Sequence, residues 1–148
     1  MSTTRQPQPD FRGLVWRAGN SIVSALARFG VGPIHLLTTR GRRTGRPATV
    51  PVVPVDEAGR RWLVAPYGEV QWVRNVRSNQ RVTIRYGRAT SQYWAREATA
   101  SEAGPVLKRY VEVAPKARSA FSATAHDSTD AFVAEAGLHP VFELALDP

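Results

Sequence analysis

The segment RGRRTGRPATVPV, residues 40–52, carries Arg40, Arg42, Arg43 and Arg46 within seven positions. Four guanidiniums at this spacing repel one another unless an anion sits among them. The neighbouring residues suit that task. Gly41 and Gly45 permit positive φ and close approach of a ligand to the backbone. The Thr44 hydroxyl adds a hydrogen-bonding group, and exposed N–H groups on a tight turn make an anion-binding nest. Each charge-assisted hydrogen bond contributes about 1.5–3 kcal/mol, so two or three hold a phosphate firmly. The bland reading of the same residues is a solvated hairpin turn. Pro51 and Pro54 then interrupt the following strand. Proline is tolerated there only at an edge or a bulge, and an edge is where a flat ligand can meet the backbone.

Other chemistries leave weaker marks. There is no cysteine, which excludes disulfides, thiolate catalysis and Cys-ligated zinc or iron–sulfur sites. His35, His126 and His139 are far apart and form no H-x-x-x-H or HExxH pattern, so no metal site is expected. His35 on a strand reads as structural. His126 and Asp127 lie near several serines, but no G-x-S-x-G elbow accompanies them. Walker and G-x-G-x-x-G loops are absent. Glu69 stands nearly alone among the central residues, against a paired-carboxylate site. No catalytic side chain emerges from the sequence.

The net charge of +8 is unevenly placed. Between Arg40 and Arg96 there are twelve arginines and three acids, a net +9, and the remainder nets −1. Arginine outnumbers lysine 18 to two, which favours bidentate phosphate or carboxylate recognition. A GC-rich genome, writing Arg for Lys on every surface, accounts for the scattered arginines. Nucleic acid is the second candidate for the anion. TGRP, residues 44–47, is similar to the Gly-Arg-Pro core of minor-groove hooks, and Trp62, Tyr67, Trp72, Tyr86, Tyr93 and Trp94 could stack on bases. Such hooks work as flexible tails, whereas this one lies between two strands. A small anionic ligand is therefore preferred, with no nucleic-acid partner.

The elements that must position this turn read as follows. Residues 1–9 are a flexible N-terminus, and residues 10–148 suit a single domain with a real core. Residues 10–29 have the period of an amphipathic helix ending at Gly30, which docks on its own domain or lies on a membrane surface. Strand-like runs follow at 34–39, 47–55, 61–66, 81–86 and 89–97, the last two flanking Gly87-Arg88, a hairpin signal. QWVRNVRS, residues 71–78, reads as a short helix with Trp72 and Val76 on one face and Arg74 and Arg77 on another. Thr99 and Glu102 have capping-box spacing before a helix containing Val106, Leu107, Tyr110 and Val111. Ser128 caps a second helix through Glu135, and HPVFELAL closes the chain as a strand. The class is mainly β with helices before and after, a small barrel or sandwich. No run reaches the roughly 20 apolar residues of a membrane span, and a cytoplasmic protein is expected.

LLTTRGRRTGRPATVPVVPV (36–55), WLVAPYGEVQWVRNVRSN (62–79) and VTIRYG (82–87) resemble the deazaflavin-dependent nitroreductase family of actinobacteria. The resemblance runs in register over about residues 34–98, and the terminal HPVFEL is similar to a subgroup of the family. It implies a split β-barrel that binds coenzyme F420, a deazaflavin with a ribityl phosphate and a polyglutamyl tail, with FMN as the alternative cofactor. By this resemblance Arg42, Arg43 and Thr44, with Arg46 nearby, hold the phosphate and tail. Ala48, Thr49, Val50 and Pro51 run under the cofactor, and Val64, Ala65, Pro66 and Tyr67 line its ring and sugar through the backbone. Gln71, Trp72, Val73, Arg74 and Asn75 close over it. The implied activity is hydride transfer to a small acceptor such as a quinone or nitro compound, with a non-catalytic cofactor-binding module of the same fold as the alternative, and a homodimer is compatible with this fold. Better-known members have Ser-Lys where this chain has Pro66-Tyr67, and they place several tyrosines over the acceptor. The corresponding APKARSAF, residues 114–121, has only Phe121 as an aromatic. Nitroimidazole reduction is therefore not implied.

Overall fold

The computed structural model describes residues 32–147, so the expected helix at 10–29 and its membrane alternative lie outside the described residues. Seven strands form one antiparallel sheet: β1 (His35–Arg40), β2 (Pro47–Val52), β3 (Val55–Glu57), β4 (Arg60–Val64), β5 (Arg81–Tyr86), β6 (Ala89–Glu97) and β7 (Val141–Leu146). Their order across the sheet is β2-β1-β5-β6-β7-β4-β3. Among the described residues three α-helices accompany them: α1 (Gln71–Ser78), α2 (Ala100–Val113) and α3 (Thr129–Glu135).

The strand order dictates the shape. β2 and β3 are the two outer strands, yet only Val53 and Pro54 separate them in sequence. Three peptide steps span at most about 11 Å, so the two edges must lie close together. The sheet is therefore rolled into a barrel, while β2 and β3 do not pair and leave a seam. The expected strand at 47–55 is in fact these two strands, broken where Pro54 removes an N–H donor. Pro51 lies in the edge strand β2, opposite Leu36 of β1.

Side chains alternate between two cores, as period two requires. Leu63 and Phe142 point into the barrel, where Leu37, Val82 and Ile84 meet Trp72, Val73 and Val76 of α1. Trp62, Val64 and Val141 point outward and pack against Val106, Leu107 and Tyr110 of α2 and Phe132 of α3. The α1 face reads as expected: Trp72, Val73, Asn75 and Val76 are buried, while Arg74 and Arg77 face out. The expected capping box on α2 is formed, with Thr99 Oγ1 accepting from the Glu102 N–H and Glu102 accepting from the Thr99 N–H. Ser128 occupies the cap position of α3 but makes no side-chain capping bond.

Two tight hairpins fix register. Gly87 takes φ +59° in the two-residue β5–β6 turn, as its sequence signal implied. The β3–β4 turn uses Ala58 at φ +54° and Gly59 at φ +72°.

Candidate functional site

The arginine-rich segment is the β1–β2 turn, placed by the antiparallel register that ends at Arg40 opposite Pro47. It is closed by two backbone bonds: Gly41 N–H donates to the Arg46 carbonyl, and Gly45 N–H donates to the Gly41 carbonyl, each at 2.8 Å. The two glycines do different jobs. Gly45 takes φ +69°, which a side chain disfavours. At Gly41 a Cβ would sit 3.0 Å from both the Arg46 carbonyl oxygen and Thr44 Oγ1.

The turn leaves donors without acceptors. Arg42 N–H donates to Asn75 Oδ1 and Arg46 N–H to Thr44 Oγ1, each at 3.2 Å. The N–H groups of Arg43 and Thr44 meet no acceptor among the described residues. Nor do the guanidiniums of Arg40, Arg42, Arg43 and Arg46 meet a carboxylate there. Arg42 Nη1 donates instead to the neutral amide oxygens of Gln71 (2.8 Å) and Asn75 (2.9 Å). The contrast with the scattered arginines is informative. Arg60, Arg61, Arg77, Arg96 and Arg109 each reach an acid, as a solvated surface would arrange. The cluster with no internal counter-charge is the turn.

Beside it, a cavity of about 640 Å³ opens along the β2–β3 seam. Its lining is mostly apolar and includes Val50, Pro51, Val64, Pro66, Tyr67, Gln71 and Trp72 of the expected site. Gln71 joins the two regions, lining the cavity while accepting from Arg42. Thr49 and Ala48 are exposed on β2, where Thr49 Oγ1 bonds Thr38 Oγ1 at 2.8 Å. Ala65 and Val73 are fully buried in the barrel core, so their side chains do not line the cavity. The Ala65 N–H is taken by the Pro140 carbonyl. Arg74 is exposed on α1. Asn75 is buried, and its amide is occupied by Arg42 and by Thr39 Oγ1 at 3.2 Å.

Two cavity residues come from the C-terminal helical region: Tyr110 of α2, which lies before the tyrosine-free stretch 114–121, and Lys116 within that stretch. Tyr110 had read only as part of an apolar helix face. It is 6% exposed, and burial, with Tyr67 nearby, pushes its hydroxyl up to about 12. It therefore stays protonated and can donate. Its hydroxyl has no partner among the described residues, yet is not sealed from the cavity.

His139 anchors the cavity wall. Its Nδ1 donates to the Pro66 carbonyl at 2.7 Å, and its Nε2 lies 2.8 Å from Glu135 Oε1. Burial works to raise the Glu135 carboxyl, but the N–H groups of Ala123 and Ser122, with His139, hold it below its ordinary value. No local signal announces this link, which spans 73 positions. His35 is structural in its contacts: Nδ1 meets the Pro33 carbonyl at 3.0 Å and the ring stacks on Tyr86 at 4.4 Å.

A family model of F420H(2)-dependent quinone reductases matches residues 11–137. The chain belongs to the F420H(2)-dependent quinone reductase family. It is an F420-dependent reductase, with coenzyme F420 as its cofactor. Among solved structures, an F420-H2 dependent reductase is 26% identical, with a TM-score of 0.54, over 76% of this chain and 94% of that one. A structure described as a domain-swapped dimer is 24% identical, with a TM-score of 0.55, over 90% and 98%. An FAD-binding protein from Mesorhizobium loti shares the fold at 12% identity and a TM-score of 0.51, over 85% and 89%. The donor set of this reductase fits its cofactor. Cations and open N–H groups suit a phosphate and carboxylates, and the adjoining apolar seam suits a planar ring.

Proposed function

We propose that this F420-dependent reductase transfers a hydride to a quinone-type acceptor held in the seam cavity, on a split-barrel scaffold. The observation that carries the reading is the arginine turn. It offers guanidiniums and two open N–H groups without any internal carboxylate, directly beside an apolar cavity. When bound, the reduced deazaflavin supplies the hydride.

The protein's own residues bind, orient and exclude water. Arg42, Arg43, Thr44 and Arg46 hold the phosphate and acidic tail. Gln71 and Asn75 fix the Arg42 guanidinium in one orientation. Pro51 keeps the β2 edge from recruiting another strand and so leaves the seam open. Apolar walls from Val50, Val64 and Val70 keep water from the reacting groups. The Tyr110 hydroxyl donates a hydrogen bond to the acceptor oxygen that gains electron density.

The expected homodimer belongs to this proposal. Trp94, opposite Ala145 of β7 and 42% exposed, offers an apolar contact for it.

Titration with F420, followed by quenching of its fluorescence and run beside FMN, tests the cofactor site. Steady-state oxidation of reduced F420 by quinones tests the acceptor. Arg42→Ala combined with Arg43→Ala is expected to weaken F420 binding at least tenfold with the fold intact. Unchanged affinity would reduce the turn to a solvated hairpin.

A further inference from the structure

The cavity is asymmetric in charge. Apart from Gln71 and the indole of Trp72, the polar side chains that line it are Tyr67, Tyr110 and Lys116, and no carboxylate lines it. The loop arginines do not line it either; Arg42 reaches its wall by a hydrogen bond to Gln71. Lys116 is thus the single cation on its wall among the described residues. It meets no carboxylate there, whereas Arg60, Arg61, Arg77, Arg81, Arg96 and Arg109 each do.

Lys116 is also held in place. It sits in the 3-10 turn Pro115–Ala120, which follows α2 directly. The Ala117 N–H donates to the Ala114 carbonyl at 3.0 Å, and Arg118 Nε donates back to the Val111 carbonyl at 2.9 Å. Phe121, at the end of the turn, stacks on the buried His139 ring at 4.0 Å. A lysine on a free loop reads no particular ligand, because its ammonium samples too many positions. A lysine whose backbone is pinned at the mouth of an apolar cavity places its charge within reach of whatever the cavity admits.

We propose that Lys116 is a specificity-determining residue that selects acceptors carrying an ionised acid group on an apolar ring. The acceptor ring lies in the seam beside the deazaflavin ring, and its carboxylate pairs with the Lys116 ammonium at the rim. This rests on the reading of the cavity as the acceptor site. Charge at a rim acts mainly as discrimination between ligands, and it weakens as salt rises.

The test uses two naphthoquinones that differ by one carboxylate, with the F420-loaded enzyme. The native protein is expected to favour the carboxylated acceptor about fivefold to tenfold in kcat/KM, through KM. Lys116→Gln brings that ratio to about one, and Lys116→Glu inverts it. A second readout needs no turnover: binding of the redox-inert naphthalene-2-carboxylate, measured calorimetrically, weakens by the same factor in Lys116→Gln. An unchanged ratio and unchanged naphthoate affinity in Lys116→Gln overturn the proposal. So does a loss of F420 affinity with the acceptor ratio preserved, since Lys116 would then serve the cofactor's tail. If F420 binds but neither quinone is reduced, the quinone-reductase reading fails, and the naphthoate measurement still decides the role of Lys116.

Discussion

Asn75 Oδ1 accepts two hydrogen bonds from Arg42, one from its backbone N–H at 3.2 Å and one from Nη1 at 2.9 Å. Asn75 thereby ties the arginine-rich turn to helix α1. Its Nδ2 donates to the buried Thr39 Oγ1, so a single side chain joins β1, the turn and α1. Asn75 acts here through Arg42. Asn75→Ala should weaken F420 binding about tenfold and also destabilise the domain by about 1–3 kcal/mol, because Thr39 loses a buried partner. Fluorescence titration and denaturant unfolding measure the two effects. Arg42→Ala should show the first without most of the second, and equal destabilisation by both would contradict the arrangement.

The two glycines of the turn predict different costs. Gly45→Ala forces a side chain into the left-handed region and should cost about 1–2 kcal/mol in stability or affinity. Gly41→Ala pushes on the Arg46 carbonyl and Thr44 Oγ1, shifting the turn itself. Its expected signature is a larger loss of F420 affinity than of thermal stability, with titration and melting compared on the same preparation.

Tyr110→Phe removes the hydroxyl and keeps the ring. With the hydroxyl facing the cavity rather than a protein partner, stability should change little. Turnover of quinone should fall about tenfold, the cost of one hydrogen bond in the transition state. Stopped-flow oxidation of the reduced cofactor reads this directly. A full-rate variant would place the acceptor elsewhere.

Acid stability should depend on Glu102. Its carboxyl is held at about 2, first by Arg96 and then by the Thr99 N–H. A carboxyl depressed in the folded state from an ordinary value of 4.5 adds stability above that value. The contribution is lost as pH falls from about 4.5 toward 2. Melting temperature should therefore drop more steeply over that interval in the native protein than in Glu102→Gln, which has no carboxyl to titrate. Parallel profiles would show that the pair contributes nothing.

Gly104 lets α2 and α3 touch. A Cβ there would overlap Val133 Cγ2 and lie 3.1 Å from Thr129 Cγ2. Gly104→Ala should destabilise by about 1–3 kcal/mol, although alanine gains about 1 kcal/mol in helix propensity. Adding Val133→Ala should restore part of the loss in urea unfolding. Absence of any rescue would point to another contact.

Features written in neighbouring residues were readable from the chain alone. The Thr99–Glu102 capping box, the Gly87-Arg88 hairpin, the split face of α1 and the density of arginine in the turn all depend on contacts a few positions apart. Pro51 and Pro54 marked an edge for the same reason, since a missing N–H is a local property. What the site does with these parts was decided by closure of the sheet. Rolling it brings β2 against β3, and this opens the seam and leaves it apolar. The same closure carries Asn75 to Arg42 across 33 positions and His139 to Pro66 across 73. Tyr110 had the sequence spacing of a core residue, and nothing in the sequence marked Lys116. Only the packing of α2 and the turn after it against the seam gave both a cavity to face.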